Sequence, residues 1–354
     1  MHDTRSAVTA LPLPARQWLR DHAPSLDRTT RHAAALLPLL AKAGLLHSVT
    51  NLDAAVDALA DVSSESLAAG FVLYSQRGFI EMLRLAHNVA LREHLLASLE
   101  EGRLAGALGL SGAFAHLSQG TPLPVQGTET PRGWKLNGRL PWVGNLQHDG
   151  YAVAIPVAFE GLTDFAIVML GSEENGVTPT PDPGTAGLRS IRGAALRLDR
   201  VHFREDELLH GNGALFMRGL SPALLALQCG LAIGVARAAC AAAQDHAGAG
   251  AVLRRITLER LETVVAEHRA VLGEGLLAGR LLQDTLALEK LRSGFIKLAR
   301  MAVQAEQQAV GTDAVLAGED GGCARRSREV QFLSLLRPGA AEPQPQWTPA
   351  RRAA

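Results

Sequence analysis

Residues able to do chemistry gather first in Gly133–Asn145, which reads Gly-Trp-Lys-Leu-Asn-Gly-Arg-Leu-Pro-Trp-Val-Gly-Asn. Trp134 and Leu136 alternate with Lys135 and Asn137, the period of a half-buried strand. Asn137-Gly138 predicts a hairpin turn, because both residue types tolerate positive φ. The returning strand then carries Trp142 to its end near Gly144-Asn145. A large flat side chain beside exposed backbone donors at a strand terminus can pack against a planar cofactor and hydrogen-bond its edge.

The other reactive residue types point to less. No pair of histidines stands at metal-ligand spacing with a carboxylate, so no metal is expected. His268 shares an apolar seam with Val264, Val265 and Val271 and reads as a hydrogen-bonded core histidine, whereas His87, His94 and His148 read as surface residues. The three cysteines form no CxxC pair; Cys229 and Cys240, eleven residues apart, share a helix face. They read as small core residues in a reducing compartment, which places the chain in the cytoplasm. Gly184–Gly187 and Gly318–Gly322 read as turns, not as phosphate loops.

These residues need elements to position them. The chain has 354 residues, 47% of them hydrophobic, enough for two or three packed units. Thirty-five basic residues balance 35 acidic ones, which gives no electrostatic reason to bind nucleic acid or an anionic membrane. Pro222–Ala243 is almost wholly apolar, but Arg237 interrupts it after fifteen residues, short of the roughly twenty that a spanning helix requires. Its Gly230-Leu231-Ala232-Ile233-Gly234 suits a helix packed tightly inside a bundle. No signal peptide is visible, and Asp3, Asp21 and Asp27 argue against a transit peptide.

The periodicity changes twice. Residues 1–104 read as an N-terminal all-helical domain, with a cap at Asp61–Ser64 before an apolar helix over Ser66–His87 that has polar breaks at Ser75, Gln76 and Arg77. Residues 105–210 read as a central β domain of six to eight strands, among them Gly106–Ser111, Ala152–Ala158, Phe165–Leu170 and Ala194–Phe203, the last bulged at Arg200. Residues 211–337 read as an antiparallel four-helix bundle, with a seam at Leu281, Leu288, Leu291, Phe295, Leu298 and Ala302. The Pro-rich residues 338–354 read as an extended or disordered tail. The fold class is α+β: N-terminal helices, a central β-barrel-like domain, then the bundle.

This order resembles the acyl-CoA dehydrogenase superfamily, flavoproteins that oxidise acyl thioesters, together with their monooxygenase relatives. Gly133–Asn145 is similar to the family hairpin Gly-x-x-Leu-Asn-Gly-x-Lys-x-Trp-Ile-Thr-Asn, Gln228–Ala236 to its first bundle helix, and Arg325–Glu329 to its Arg-x-x-Arg-Asp. The resemblance implies FAD, with FMN as the alternative, between the β domain and the bundle. It implies that Trp142 packs on the isoalloxazine, that Val143 and Gly144 meet its N5 edge, and that Leu110 and Ser111 address its pyrimidine. It further implies a homodimer or homotetramer, a small-molecule substrate such as an acyl-CoA, and a flavin reductase or electron-transfer flavoprotein as redox partner.

Four departures limit the inheritance. The family's base, a Glu, is replaced by Pro338; the minority position for it falls on Ala223; Glu342 reaches the site only by a shifted register. Gly144 replaces the threonine that meets N5. Gly112–Ser118 lacks the Glu-Pro-x-x-Gly-Ser-Asp stretch; the monooxygenase branch uses histidines in place of the Glu, and the resemblance places His116 near the flavin as the candidate proton-transfer residue. His246–Gly250 lacks the Arg-x-x-Phe-Gly that contacts the ADP part of FAD, which favours FMN or loosely held reduced flavin. Three readings stay open: hydride exchange between flavin N5 and an acyl-CoA-like substrate, a reduced-flavin monooxygenase, and a non-catalytic partner subunit.

Overall fold

The computed structural model describes residues 11–47, 51–148, 150–180, 184–245, 251–312 and 321–336. Five helices come first: α1 (Leu13–Arg28), α2 (Ala33–Lys42), α3 (Leu52–Glu65), α4 (Leu67–Leu85) and α5 (Val89–Glu100). α4 is buried at every position from Leu67 to Ile80, its polar positions included. Its polar breaks are satisfied: Arg77 pairs with Glu81 at 2.6 Å, and the Gln76 amide donates to the carbonyls of Leu99 and Leu104. The cap lies elsewhere than the sequence indicates. Asp61–Ser64 continue α3, where the Ser64 hydroxyl bonds back to the Asp61 carbonyl, and the extended Ser66 caps α4.

Eight strands follow: β1 (Ala105–Leu108), β2 (Val125–Thr130), β3 (Gly133–Val143), β4 (Tyr151–Phe159), β5 (Phe165–Gly171), β6 (Val177–Pro179), β7 (Ala194–His202) and β8 (Leu208–His210). They form one sheet in the order β6-β7-β3-β2-β4-β5-β8, with β1 parallel to β4. The hairpin turn is not at Asn137-Gly138. β3 runs straight through that pair, and the turn lies between Thr130 and Gly133, where Pro131 fixes one φ and Gly133 takes φ 96°. Asn137 instead spans to β7: its Oδ1 accepts from the Arg200 N–H at 2.9 Å. Arg200 has φ 53° at the register shift between β3 and β7, so the expected bulge is present. The segment after β1 is helical, α6 (Ser111–Gln119), ended by Gly120 at φ 68°.

Helices α7 (Gly213–Gln244), α8 (Ala251–Leu277), α9 (Arg280–Gln283), α10 (Thr285–Val310) and α11 (Gly322–Leu333) complete the chain. α7 is long and apolar enough to cross a membrane, yet 83% of its most apolar window is buried inside the protein, which makes it a core helix. A Cβ at Gly230 would stand 2.6 Å from the Val56 carbonyl oxygen, and one at Gly234 would stand 2.5 Å from that of Ala60, so the small residues let α3 lie against α7. Leu281 sits on the separate α9, while Leu288, Phe295, Leu298 and Ala302 form the buried seam of α10. Pro338, Glu342 and the rest of the tail lie outside the described residues.

Candidate active site

A cavity of about 500 Å³ opens where the sheet meets the helices. Leu108 at the end of β1 and Leu110, Ser111 and Phe114 around the start of α6 form one wall. Trp142 and Gly144 at the end of β3 form a second. Phe71, Tyr74 and Ser75 of α4 close it from behind, with Leu224 of α7, Thr185, Phe332 of α11 and Leu335 and Leu336 just after it completing the lining. The surface is mostly apolar, with hydroxyls from Tyr74, Ser75, Ser111 and Thr185, and carries no carboxylate and no imidazole among the described residues.

The end of β3 is held by a buried amide network. Asn145 takes φ 64°, a left-handed conformation that asparagine tolerates better than most residues. Its amide nitrogen donates to Gln76 Oε1 at 3.3 Å and to the Gly106 carbonyl at 3.0 Å, and its backbone N–H donates to the Ile191 carbonyl at 2.7 Å. Gln76 Oε1 also accepts from the Gly106 N–H at 2.8 Å. Trp142 is half-buried, and its indole lies over Gly193, where a Cβ would come within 2.2 Å of the ring. Gly144 meets Phe71: a Cβ there would come within 2.4 Å of the phenyl ring. That contact gives a physical reason for glycine at this position, since Phe71 occupies the space a threonine side chain needs.

Behind the cavity lies a second polar network. The Gln228 amide of α7 donates to the Tyr74 hydroxyl at 2.9 Å, and Gln228 Oε1 accepts from Arg292 Nε at 2.5 Å. Arg292 also pairs with Glu289 at 3.0 Å and donates to the Leu336 carbonyl at 2.8 Å, which ties α10 to the end of α11. Burial pushes the Tyr74 phenol up to about 12, the amide of Gln228 and the charge of Arg292 offsetting part of that rise. The phenol therefore stays neutral and keeps its proton.

Of the residues the sequence singles out, Leu110, Ser111, Trp142 and Gly144 line the cavity. Val143 does not. It is 1% exposed and paired with Ala194, pointing into the core as strand alternation requires for the neighbour of a cavity-facing Trp142. His116 is not in the lining either: on α6 its Nδ1 lies 2.9 Å from the Thr121 carbonyl and its ring meets Phe165 edge-on. Ala223 is half-buried on α7 and brings no base. Sequence reasoning missed Phe71, Tyr74, Leu224 and Phe332, apolar or aromatic positions on helices that read as plain core, and Leu335 and Leu336 just after α11. The polar break at Ser75 and Gln76 was the available signal, for it marks the face of α4 that meets the cavity and the β3 end. Cys229, Cys240 and Cys323 are buried free thiols, and no three His, Cys, Asp or Glu side chains come together as a metal site among the described residues.

These residues fit a flavin ring. The cavity is apolar with a large flat indole in its wall, and the first turn of α6, which carries no side-chain cap, begins at its edge with N–H groups that lack helical partners. Such donors suit the carbonyl oxygens of a pyrimidine, and the indole suits a planar tricycle.

No family model and no curated protein matches the sequence. Solved structures do match along nearly its whole length. Glutaryl-coenzyme A dehydrogenase in its glutaryl-CoA complex superposes with a TM-score of 0.78 at 14% identity, over 96% of this chain and 93% of that one. The nitrososynthase from Micromonospora carbonacea var. africana gives 0.75 at 18% identity, over 96% and 94%. Dibenzothiophene monooxygenase from Paenibacillus sp. A11-2 gives 0.72 at 15% identity, over 94% and 93%. Dehydrogenases and monooxygenases thus share this architecture, and the chain has the acyl-CoA dehydrogenase fold.

Proposed function

We propose that this chain is a flavin-dependent oxidoreductase of the monooxygenase type, acting on a small, largely apolar substrate. The observation that carries the choice is the absence of any carboxylate or imidazole from the lining of the cavity among the described residues. Oxidation of an acyl thioester by hydride loss needs a base at the α-carbon. Among the described residues, a cavity walled by Phe71, Leu108, Leu110, Leu224 and Phe332 offers none. Its walls are mostly apolar, so a ligand seated there would shield a reactive reduced cofactor from water. When bound, a reduced flavin supplies the electrons that activate oxygen. In this reading Trp142 packs on the ring, Ser111 and the first N–H groups of α6 hold its pyrimidine edge, and a flavin reductase delivers it reduced. His116, outside the lining, takes no part. FMN and FAD both remain compatible with the cavity.

The purified protein is titrated with FMN and FAD, the complex is photoreduced, and air-saturated buffer is added. The expected result is flavin binding followed by slow reoxidation with release of peroxide, and no anaerobic bleaching of the oxidised complex by butyryl-CoA. Bleaching by the thioester would overturn the reading in favour of hydride exchange. Failure to bind either flavin in either redox state would leave only the partner-subunit reading.

A further inference from the structure

We propose that Tyr74 is the specificity-determining contact of the cavity, donating a hydrogen bond to an acceptor oxygen of the substrate, with Gln228 and Arg292 as the residues that position it. The inference deepens the functional reading above and rests on it in taking the cavity as the substrate site.

A phenol has one proton to donate. The Tyr74 oxygen already accepts from the Gln228 amide at 2.9 Å, so its proton must leave in another direction. No described residue accepts it. The side chain lines the cavity, and the cavity is where an acceptor can enter. The orientation is fixed from behind: Gln228 cannot turn its amide round, because Arg292 Nε holds the Oε1 end at 2.5 Å and the guanidinium cannot accept in return. Arg292 is itself held by Glu289 and by the Leu336 carbonyl. All three residues are more than nine-tenths buried. The donor is thus set before any ligand arrives.

The other hydroxyls of the lining differ. Thr185 donates to the Gly187 carbonyl at 3.0 Å. Ser75 and Ser111 are short rotors that can present either a donor or a lone pair, so they do not select between the two. Tyr74 does select: a ligand with a carbonyl or similar oxygen at that depth completes the network. A hydrocarbon of the same shape displaces whatever water the phenol held and leaves a buried donor unmet. The class of ligand that follows is an apolar molecule with one neutral acceptor oxygen on its buried end.

Acetophenone and ethylbenzene serve as a matched pair of probes that differ in that oxygen. Their binding to the full chain is measured by calorimetry, without flavin and again with FMN, for the wild type and for Tyr74→Phe. The expected result is that the preference for the ketone over the hydrocarbon falls about tenfold in the variant. An unchanged preference would overturn the proposal, as would failure of both probes to bind. The carbonyl stretch of the bound ketone gives a reading that needs no variant. It is expected at lower frequency in the wild type than in a hydrocarbon solvent, and an unshifted band overturns the proposal even if Tyr74→Phe fails to fold. The flavin-free arm separates this outcome from that of the functional reading: a chain that binds no flavin but still selects the ketone through Tyr74 fails only the latter.

Discussion

The side-chain amide of Asn145 reaches across from the end of β3 to Gln76 on α4, 3.3 Å away, and thereby fixes where Trp142 and Gly144 stand relative to the helix that closes the cavity. Both side chains are fully buried, and the Gly106 backbone shares the network through its N–H and its carbonyl. A strand end would otherwise fray. Here it is bonded to two other elements.

Replacing Asn145 by alanine removes two donated hydrogen bonds and leaves the Gly106 carbonyl buried without that partner. The expected cost is about 2–4 kcal/mol of unfolding free energy, since unmet buried polar groups and left-handed strain add. Asn145→Gly loses the same bonds but tolerates φ 64°, so it is expected to be about 1 kcal/mol more stable than the alanine variant. Urea unfolding of the two variants measures both numbers. Equal stability of the two would show that the backbone conformation contributes nothing.

Much of this arrangement is legible in the sequence, for a physical reason: β4, β5 and β7 are short apolar or alternating runs between turn residues, and the apolar run of α7 is broken by Arg237 after fifteen residues, short of a membrane span. The strand end at Trp142–Gly144 was readable because its residues are contiguous. The turn was misplaced because Asn137-Gly138 satisfies a local rule, while the bond from the Arg200 N–H that keeps Asn137 in a straight strand is made 63 positions away. The other walls of the cavity were illegible for the same reason. Phe71, Leu224 and Phe332 meet there from three helices, and nothing in the local pattern of an apolar helix separates a residue facing a cavity from one facing a neighbour.

Phe71 and Gly144 form one such long-range pair, and it is testable as a pair. A threonine at 144 would place its Cβ within 2.4 Å of the phenyl ring, so Gly144→Thr is expected to cost about 1–3 kcal/mol through overpacking. Phe71→Ala alone is expected to cost about 3 kcal/mol. In the Phe71→Ala background the threonine has room, and the double variant is expected to be more stable than the sum of the two losses by about 1 kcal/mol or more. A double-mutant cycle by chemical denaturation reads the coupling; strict additivity would mean that the two residues do not compete for space.

Trp142 offers a test of the proposed flavin site and not of the fold. Its indole is half-buried in the cavity wall and rests over Gly193. Trp142→Phe keeps a smaller aromatic surface and is expected to weaken flavin binding by about tenfold, the equivalent of about 1.4 kcal/mol, with little change in unfolding midpoint. Quenching of flavin fluorescence on titration gives the affinity. Unaltered affinity would place the ring elsewhere in the cavity.

Glu207, just before β8, is buried, and burial pushes its carboxyl up to about 7; the N–H and guanidinium of Arg204 offset part of that rise, while Glu174 and Asp206 add to it. Between its ordinary value of 4.5 and about 7 the folded chain holds a proton that the unfolded chain releases. Folding therefore takes up a proton in this window, and the contribution of Glu207 to stability falls as pH rises through it, levelling off above about 7. This is the reverse of the usual carboxylate, whose pairing depresses its pKa and makes acid destabilising. Glu207→Gln keeps an oxygen to accept from the Arg204 N–H but cannot ionise. The stability of the wild type minus that of the variant is therefore expected to decline from about pH 5 to about pH 7 and then stay flat, when both are unfolded in urea across a pH series. A difference that rises over the same interval would mean that the ion pair with Arg204, and not burial, dominates at this carboxylate.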